Sequence, residues 1–260
     1  MPQPRRELAA TFQHAGVAAA YRGRPPYPDE AIELLTDLVE RPARVLDIGA
    51  GEGSLARPLA PRVDEIVAVE LYDAMVSAGR TLPGGDAANL HWVVEPVETF
   101  TDTGTFGLAV AGASLHWFDL LTLHRRLADL LAPGAVLAVC DRWARSPQIS
   151  AGLAEIVPRY SRAPEYDASY SATGDLAARG LWQQHGSRTT KPVPFRQSVS
   201  DFIEGLHSTS TLARELMTGD EADAFDTDVH RIADPLVDDD GLLTLQLTSS
   251  VVWGELSGIS

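Results

Sequence analysis

The sequence predicts an α/β fold in which a mainly parallel sheet is covered by helices on both faces. Two observations support this prediction. Short apolar runs alternate with amphipathic stretches between residues 29 and 141, and a glycine-rich turn directly follows the first apolar run. Alternation at this spacing is typical of βαβ units. The runs are continuously apolar, as expected for parallel strands that are buried on both faces.

The composition is typical of a globular protein with one sizeable core. The chain has 260 residues, of which 45% are hydrophobic and 22% are charged. Its 21 basic and 36 acidic residues give a net charge of −15, which disfavours binding to nucleic acid or to anionic membranes. The single cysteine, Cys140, cannot form an internal disulfide, and no apolar run reaches the ~18 residues of a membrane span. We therefore expect a cytoplasmic monomer or homodimer that acts on a small molecule, without a nucleic-acid or membrane partner.

The first half of the chain contains most of the predicted strands. We expect residues 1–28 to form an N-terminal lid, because three prolines keep its last part, residues 21–28, extended. Asp29 is placed to cap a helix that has an apolar stripe. The elements that follow are predicted strands at 44–48, 65–69, 92–94, 107–111 and 135–140, with helices at 54–59, 73–80 and 120–131 between them.

The alternation of strands and helices changes after residue 141. We expect helices in 142–180 and across 199–234, with two last strands at 187–195 and 242–253. This makes seven strands in all. The chain is then one structural domain in three parts: the lid (1–28), a ligand-binding core (29–141), and a C-terminal part (142–260) that completes the sheet and supplies a helical substrate cap.

A glycine loop after the first strand predicts a nucleoside ligand. Gly49, Gly51 and Gly53 allow a sharp turn and let a ligand approach the main chain closely. Glu70 ends the second strand, seventeen residues beyond Gly53. A carboxylate at that position can accept hydrogen bonds from both hydroxyls of a ribose.

The same loop argues against a dinucleotide. In a dinucleotide loop the third glycine comes one residue later, where this chain has Ser54. Asp47 and Glu52 would also repel a pyrophosphate, by about 1 to 4 kcal/mol for each close pair. These residues disfavour a nicotinamide dehydrogenase. A ligand that has a sugar and a positive charge but no phosphate, such as S-adenosylmethionine, avoids the conflict.

Five segments occur in a characteristic order: 21–28, 46–53, 69–75, 113–119 and 131–134. Together they resemble the class I S-adenosylmethionine-dependent methyltransferases, in particular the small-molecule branch that includes the trans-aconitate methyltransferases. The resemblance covers residues 12–140. It implies a Rossmann-like, doubly wound, seven-stranded sheet with an antiparallel last strand, and helical insertions that form a cap.

The resemblance also implies roles for residues around the cofactor. Glu70 would bind the ribose hydroxyls, and Arg24 on the lid would pair with the carboxylate of the cofactor. The methionine half would be contacted by Asp47, Gly49, Ala50, Gly51 and Ala111. The adenine would be contacted by Leu71, Met75, Val97 and Glu98, and Tyr21 would close over the cofactor with the lid.

Methyl transfer is an in-line displacement that needs mainly alignment and desolvation. His116 follows the strand at 107–111, and its side chain is a candidate either for a general base or for a pocket wall. The acceptor atom is left open. The residues expected to form the substrate pocket are His14, Trp117, Trp143, Tyr166, Tyr170 and His207. The histidines and acids show no metal-ligand spacing, so no metal is expected.

Two other functions remain open for the same fold. A relative that binds the cofactor could catalyse a non-methylating reaction such as a cyclisation, and a non-catalytic module could simply bind a nucleoside. Only methyl transfer converts the cofactor to S-adenosylhomocysteine.

Overall fold

The computed structural model describes residues 8–163 and 170–257. It confirms the α/β fold. The parallel strands are β1 (Arg44–Ile48), β2 (Glu65–Glu70), β3 (Leu90–Val94), β4 (Phe106–Gly112) and β5 (Leu131–Arg145). Their order across the sheet is β3-β2-β1-β4-β5. The chain order therefore reverses direction between β1 and β4, which is where doubly wound sheets bind their ligands.

Three antiparallel strands complete the sheet: β6 (Trp182–Thr189), β7 (Val193–Ser198) and β8 (Leu242–Leu256). The last strand, β8, runs antiparallel to β5, as the resemblance implies. The other edge of β8 pairs first with β7 and then with β6. The sheet thus has eight strands rather than seven, because the predicted strand at 187–195 contains the end of β6 and the start of β7.

Helices cover both faces of the sheet. They are α1 (Ala15–Ala20), α2 (Asp29–Asp37), α3 (Ala56–Leu59), α4 (Asp73–Thr81), α5 (Leu120–Leu130), α6 (Pro147–Tyr160), α7 (Ala172–Ala178), α8 (Val199–His207) and α9 (Gly219–Ala233). In the part of the chain that the structure describes, no helix has the length and apolarity needed to cross a membrane.

The core has a separate apolar cluster on each face of the sheet, because successive side chains of a strand point to opposite faces. On β1, Leu46 packs into one cluster and Val45 into the other, and both are fully buried. A third cluster lies in the C-terminal part, where Phe202 and Phe225 pack together with Leu245 of β8.

Three predicted boundaries are wrong. Helix α2 has Pro28 at its N-cap position, so Asp29 is the first helical residue instead of the cap. The lid is extended only from Arg24 onward, since residues 21–23 form a 3₁₀ turn. The segment 142–180 is not helical throughout, because β5 continues to Arg145 where β8 supplies backbone partners for it.

Candidate functional site

A cavity of about 740 Å³ lies at the carboxyl edge of the parallel strands, beside the point where the strand order reverses. Its walls come from the loop after β1, the end of β2, and the segments that follow β3 and β4. The N-terminal lid contributes Ala9, Phe12 and Tyr21. The four β-strand ends and the lid therefore converge on one site.

The glycine loop forms one end of this cavity. Its main chain folds back on β2, since the N–H groups of Gly49 and Ala50 donate to the carbonyl of Val69 at 2.9 and 3.1 Å. Gly49 has φ of 62°, and a Cβ there would lie 2.8 Å from the Cβ of Ser114. Only glycine fits both this backbone conformation and this contact.

The side chain of Glu70 is hydrogen-bonded to the glycine loop. Its carboxylate is 7% exposed and lines the cavity. Oε2 accepts a hydrogen bond from the Gly51 N–H at 2.9 Å, and Oε1 accepts one from the Tyr72 N–H at 3.0 Å. Burial raises the pKa of Glu70 above its ordinary value, although these backbone bonds oppose the shift. Each oxygen keeps a second lone pair with which to accept a ligand hydroxyl.

Asp47, Ala50 and Ala111 are not among the residues that line the cavity. Asp47 lies beneath the loop, 1% exposed, where Oδ2 accepts the Ala56 N–H at 3.1 Å and so fixes the start of α3. Burial raises the pKa of Asp47 to about 7. The cavity is instead lined by Gly49 and Gly51 on either side of Ala50, and by Gly112 next to Ala111.

The opposite wall brings together the residues expected around an adenine: Leu71, Met75, Val97 and Glu98. Leu71 is 48% exposed, whereas Met75 is buried beneath the cavity. This wall also includes Pro96, together with Tyr72 and Glu95, which were not predicted. Their position immediately after a strand end was the signal that could have identified them.

Aromatic rings from the lid and from the segment after β4 meet over the cavity. The Phe12 ring makes edge-to-face contacts with Tyr21 and Trp117, at centroid distances of 6.0 and 5.7 Å. All three residues line the cavity. Phe12 was not predicted, because one aromatic side chain in a short helical segment carries no pattern of its own.

Arg24 and His14, the other predicted lid residues, do not line the cavity. The Arg24 guanidinium lies over the Tyr21 ring, 4.0 Å from its centroid. Its Nε and Nη2 donate to the hydroxyl and carbonyl oxygens of Ser208 at 2.7 and 2.8 Å. Arg24 therefore ties the lid to the end of α8, behind the ring that faces the ligand space.

The structure does not place His116 on the cavity wall. It lies in the 3₁₀ turn Leu115–Trp117 with its ring centroid 4.4 Å from that of Trp117. Trp117 does line the cavity, as predicted, together with Ala113 and Ser114. Ala113 has φ of 52°, a left-handed conformation that costs about 1 kcal/mol in a residue with a Cβ. This strain lies at the sheet edge where the ligand space begins.

The other residues expected in the substrate pocket lie away from this cavity or outside the described residues. His207 is 1% exposed, with Nδ1 2.7 Å from the Leu212 carbonyl oxygen and Nε2 2.7 Å from a carboxylate oxygen of Asp226. His207 therefore lies beside the third apolar cluster, where its ring contacts that of Phe225. Trp143 and Tyr170 are half-buried away from the cavity lining, and Tyr166 lies outside the described residues.

The charge of the cavity is negative. Its ionisable lining residues, as far as the structure describes the chain, are Glu70, Glu95, Glu98, Asp119 and two tyrosines. None is Lys, Arg or His. Within residues 8–163 and 170–257, no group of three or more His, Cys, Asp or Glu side chains could hold a metal ion. The wall suits a neutral or cationic ligand and disfavours a phosphate.

The doubly wound sheet and the cavity at its carboxyl edge are typical of Rossmann-like proteins, and comparisons with known proteins show what the chain is similar to. Residues 45–134 match a family described as "Methyltransferase domain". This similarity covers about a third of the chain and includes the glycine loop and Glu70. A solved protein of Anaeromyxobacter dehalogenans, proposed to be a type II methyltransferase, shares the fold with a TM-score of 0.62. It is 20% identical, and the alignment covers 89% of this chain and 96% of that one.

Two relatives show the extent of the sequence similarity. An uncharacterized methyltransferase of Mycobacterium bovis is 36% identical over 52% of this chain and 53% of its own length. A trans-aconitate 2-methyltransferase of Rhodococcus jostii is 33% identical over 70% of this chain and 59% of its own length. The chain thus spans between half and three fifths of these curated relatives.

Proposed function

We propose that this chain transfers a methyl group from S-adenosylmethionine to a small organic acceptor bound under the N-terminal lid. The observation that carries the proposal is the position of Glu70. Its two oxygens are each anchored by one backbone N–H, and its carboxylate faces a cavity of about 740 Å³ that holds no cationic side chain among the described residues. Cavities of this size accommodate a cofactor-sized molecule.

The residues present fit this cofactor. Glu70 would accept the ribose hydroxyls, Leu71, Met75 and Val97 would pack on the adenine, and the main chain of the glycine loop would contact the methionine half. When bound, S-adenosylmethionine supplies an electrophilic methyl group on a sulfonium. The carboxylates of the wall stabilise that positive charge, and it is lost when the methyl group leaves.

The chain's own part in the reaction is alignment and exclusion of water. Phe12, Tyr21 and Trp117 cover the cavity with apolar surface, so that an acceptor beneath them is held in a dry site. No imidazole, thiol or amine is among the described lining residues. The acceptor therefore reacts as a nucleophile that is already deprotonated, or it transfers its proton to a wall carboxylate. We assign His116 to the support of Trp117 rather than to proton transfer.

The acceptor is a small molecule rather than a polymer. The cavity is closed on one side by the lid and has no basic surface among its lining residues, and the chain has a net charge of −15. These features favour a cytoplasmic small-molecule enzyme over one that acts on nucleic acid. We also propose the division into a lid (1–28), a cofactor-binding core (29–141) and a C-terminal part (142–260). A non-methylating reaction has no supporting feature in the cavity.

The proposal is tested first by calorimetric titration of the purified chain with S-adenosylmethionine, S-adenosylhomocysteine and NADH. Micromolar binding of the first two and none of NADH is the expected result. Binding of NADH alone would overturn the proposal. Incubation with S-adenosylmethionine and fractionated small-molecule extract should then produce S-adenosylhomocysteine, which a binding module or a cyclase would not form.

A further inference from the structure

The N-terminal lid rests on the end of helix α8. The two backbones pass so close to each other that a Cβ at Gly205 of α8 would lie 2.5 Å from the carbonyl oxygen of Gly23. The next lid residue, Arg24, donates to both the hydroxyl and the carbonyl oxygen of Ser208, directly after α8. The position of the lid over the cavity therefore depends on the position of the end of α8.

Four ionisable side chains outside the cavity fix the end of α8. Nε2 of His207 lies 2.7 Å from Oδ1 of Asp226 on α9. The other oxygen of Asp226 accepts a hydrogen bond from Nη1 of Arg214 at 2.8 Å. Nη2 of Arg214 donates to Oε1 of Glu204, back on α8, at 2.7 Å. We call these four side chains the α8 clamp.

The hydrogen bonds of the α8 clamp require a proton on both ring nitrogens of His207. Nδ1 lies 2.7 Å from the carbonyl oxygen of Leu212, which can only accept. Nε2 faces Asp226, whose other oxygen pairs with Arg214, as expected for an ionised carboxylate. A neutral imidazole has one N–H and can serve only one of these acceptors. Because the ring is 1% exposed, water does not replace the missing bond.

The charges of the α8 clamp balance only when His207 is protonated. The charged group that faces His207 is Asp226 from α9, and through it Arg214 from the turn at 214–216 and Glu204 from α8. Two negative and two positive charges then alternate along the clamp. Phe225 of α9, whose ring centroid is 4.9 Å from that of His207, supplies no charge. Loss of the proton therefore leaves a net negative charge and a ring lone pair that faces an acceptor.

We propose that His207 is a pH-sensitive positioning residue for the lid. When protonated, it holds the end of α8 and thus Ser208, to which Arg24 fastens the lid. When it loses its proton, the end of α8 is held less firmly, the lid opens more often, and a ligand beneath it leaves faster. An ordinary histidine titrates near pH ~6.5, so the change falls around neutrality. The effect on the ligand rests on the proposed function, whereas the effect on the lid does not.

Hydrogen exchange of the lid tests the proposal without a ligand. Exchange at residues 15–24 is measured by mass spectrometry between about pH 5.5 and 8.5 and corrected for the intrinsic rate at each pH. The proteins are the wild type, Asp226→Asn and Asp223→Asn. An asparagine at position 226 can donate to a neutral imidazole and still accept from Arg214, so the clamp no longer needs the proton. Asp223 is an exposed acid on the same helix and provides the control for the lost charge.

The expected result is a difference between the two variants. As the pH rises, protection of the lid relative to that of β1 should fall about tenfold in the wild type and in Asp223→Asn, because a charge-assisted hydrogen bond is lost. It should stay constant in Asp226→Asn. Asp47, whose pKa is raised to about 7 by burial, titrates in the same range, but all three proteins contain it. An equal pH dependence in the two variants would overturn the proposal.

A second measurement uses the wild type alone and so does not depend on the folding of a variant. Nitrogen NMR of the labelled protein distinguishes a doubly protonated imidazole from a neutral one. We expect both ring nitrogens of His207 to carry a proton at about pH 5.5 and one of them to lose it by about pH 8.5. A ring that keeps one protonation state across this range would contradict the proposal.

Two alanine variants test whether His207 acts through Ser208. The hydroxyls of Ser208 and Thr209 both donate to carbonyl oxygens of α8, at 2.6 and 2.7 Å. Within the described residues, only the Ser208 hydroxyl also accepts a hydrogen bond from the lid. Exchange of the lid should be faster in Ser208→Ala and nearly independent of pH, whereas Thr209→Ala should follow the wild type. Equal behaviour of the two variants would mean that His207 has only a structural role.

Dissociation of S-adenosylhomocysteine, followed by stopped-flow fluorescence, connects the lid to the ligand. It should be about tenfold faster at the high end of the pH range than at the low end in Asp223→Asn, and unchanged in Asp226→Asn. Equal pH dependence in the two variants would contradict the effect on the ligand. If S-adenosylhomocysteine does not bind to the wild type, the proposed function fails, while hydrogen exchange still decides the role of His207.

Discussion

The two ends of the cavity are built in different ways. At the glycine-loop end, main-chain groups and one anchored carboxylate form the wall, and Glu70 is held by two backbone bonds. At the lid end, Phe12, Tyr21 and Trp117 come from two separate segments and meet only through ring contacts. The first end is rigid because backbone positions define it, and the second can change with a single side chain. Under the proposed function, the rigid end would recognise the cofactor and the adaptable end would exclude water.

The largest expected effect is on stability at the rigid end. The pKa of Asp47 is raised to about 7 by burial, from 3.8 in the unfolded chain. Well below pH 3.8 both states are protonated. As the pH rises to 7 the unfolded state ionises first, so folding stability is lost, by at most about 4 kcal/mol.

Asp47→Asn removes this loss and can still accept the Ala56 N–H. The free energy of unfolding is measured in urea for both proteins between pH 4 and 8. It should increase in the variant relative to the wild type as the pH rises. Two parallel pH curves would contradict the raised pKa.

The next effect concerns the cofactor. Glu70→Ala removes the acceptor for two ribose hydroxyls, and we expect S-adenosylhomocysteine to bind about 100-fold more weakly. Glu70→Gln keeps the shape of the side chain but replaces one acceptor with a donor. Its affinity for S-adenosylhomocysteine should lie between those of the wild type and Glu70→Ala. Calorimetry measures all three. An affinity of Glu70→Ala within threefold of wild type would show that the rigid end is not the ribose site.

A smaller effect is expected at the adaptable end. Phe12→Ala removes two aromatic contacts, together worth ~1–2 kcal/mol, from the closed lid. We expect S-adenosylhomocysteine to dissociate roughly 5- to 30-fold faster, as measured by stopped-flow fluorescence. Leu121→Ala, an exposed residue on α5, is the control. Equal dissociation rates in the two variants would mean that the lid does not retain the ligand.

The smallest effect separates support of the wall from catalysis. His116→Gln should lower the rate of S-adenosylhomocysteine formation by less than about tenfold, because its ring contacts Trp117 rather than the cavity. Loss of a general base would reduce turnover by ~10²–10⁴-fold and remove the acidic limb of the pH profile, where the base would be protonated. A loss of that size in His116→Gln would show that His116 acts as the general base.

The meeting of the glycine loop with Glu70 could be predicted because it depends on short stretches of chain. A glycine loop after one strand and an acid at the end of the next meet whenever the two strands are parallel neighbours, and β1 and β2 are. Leu71, Met75 and Val97, which the family resemblance implies around an adenine, also line the cavity. The sequence did not indicate that His207 is buried beside Phe225, since that contact depends on how distant segments pack.

The residues alone were enough to establish the α/β class, the glycine loop and the acid that faces it, because backbone turns and strand periodicity act over a few positions. Tertiary structure alone decided that Phe12 covers the cavity, that β5 extends to Arg145, and that Arg24 bonds to Ser208. Those outcomes join segments more than a hundred residues apart in sequence. Their contacts depend on side-chain packing and on which buried groups find partners, neither of which leaves a local pattern.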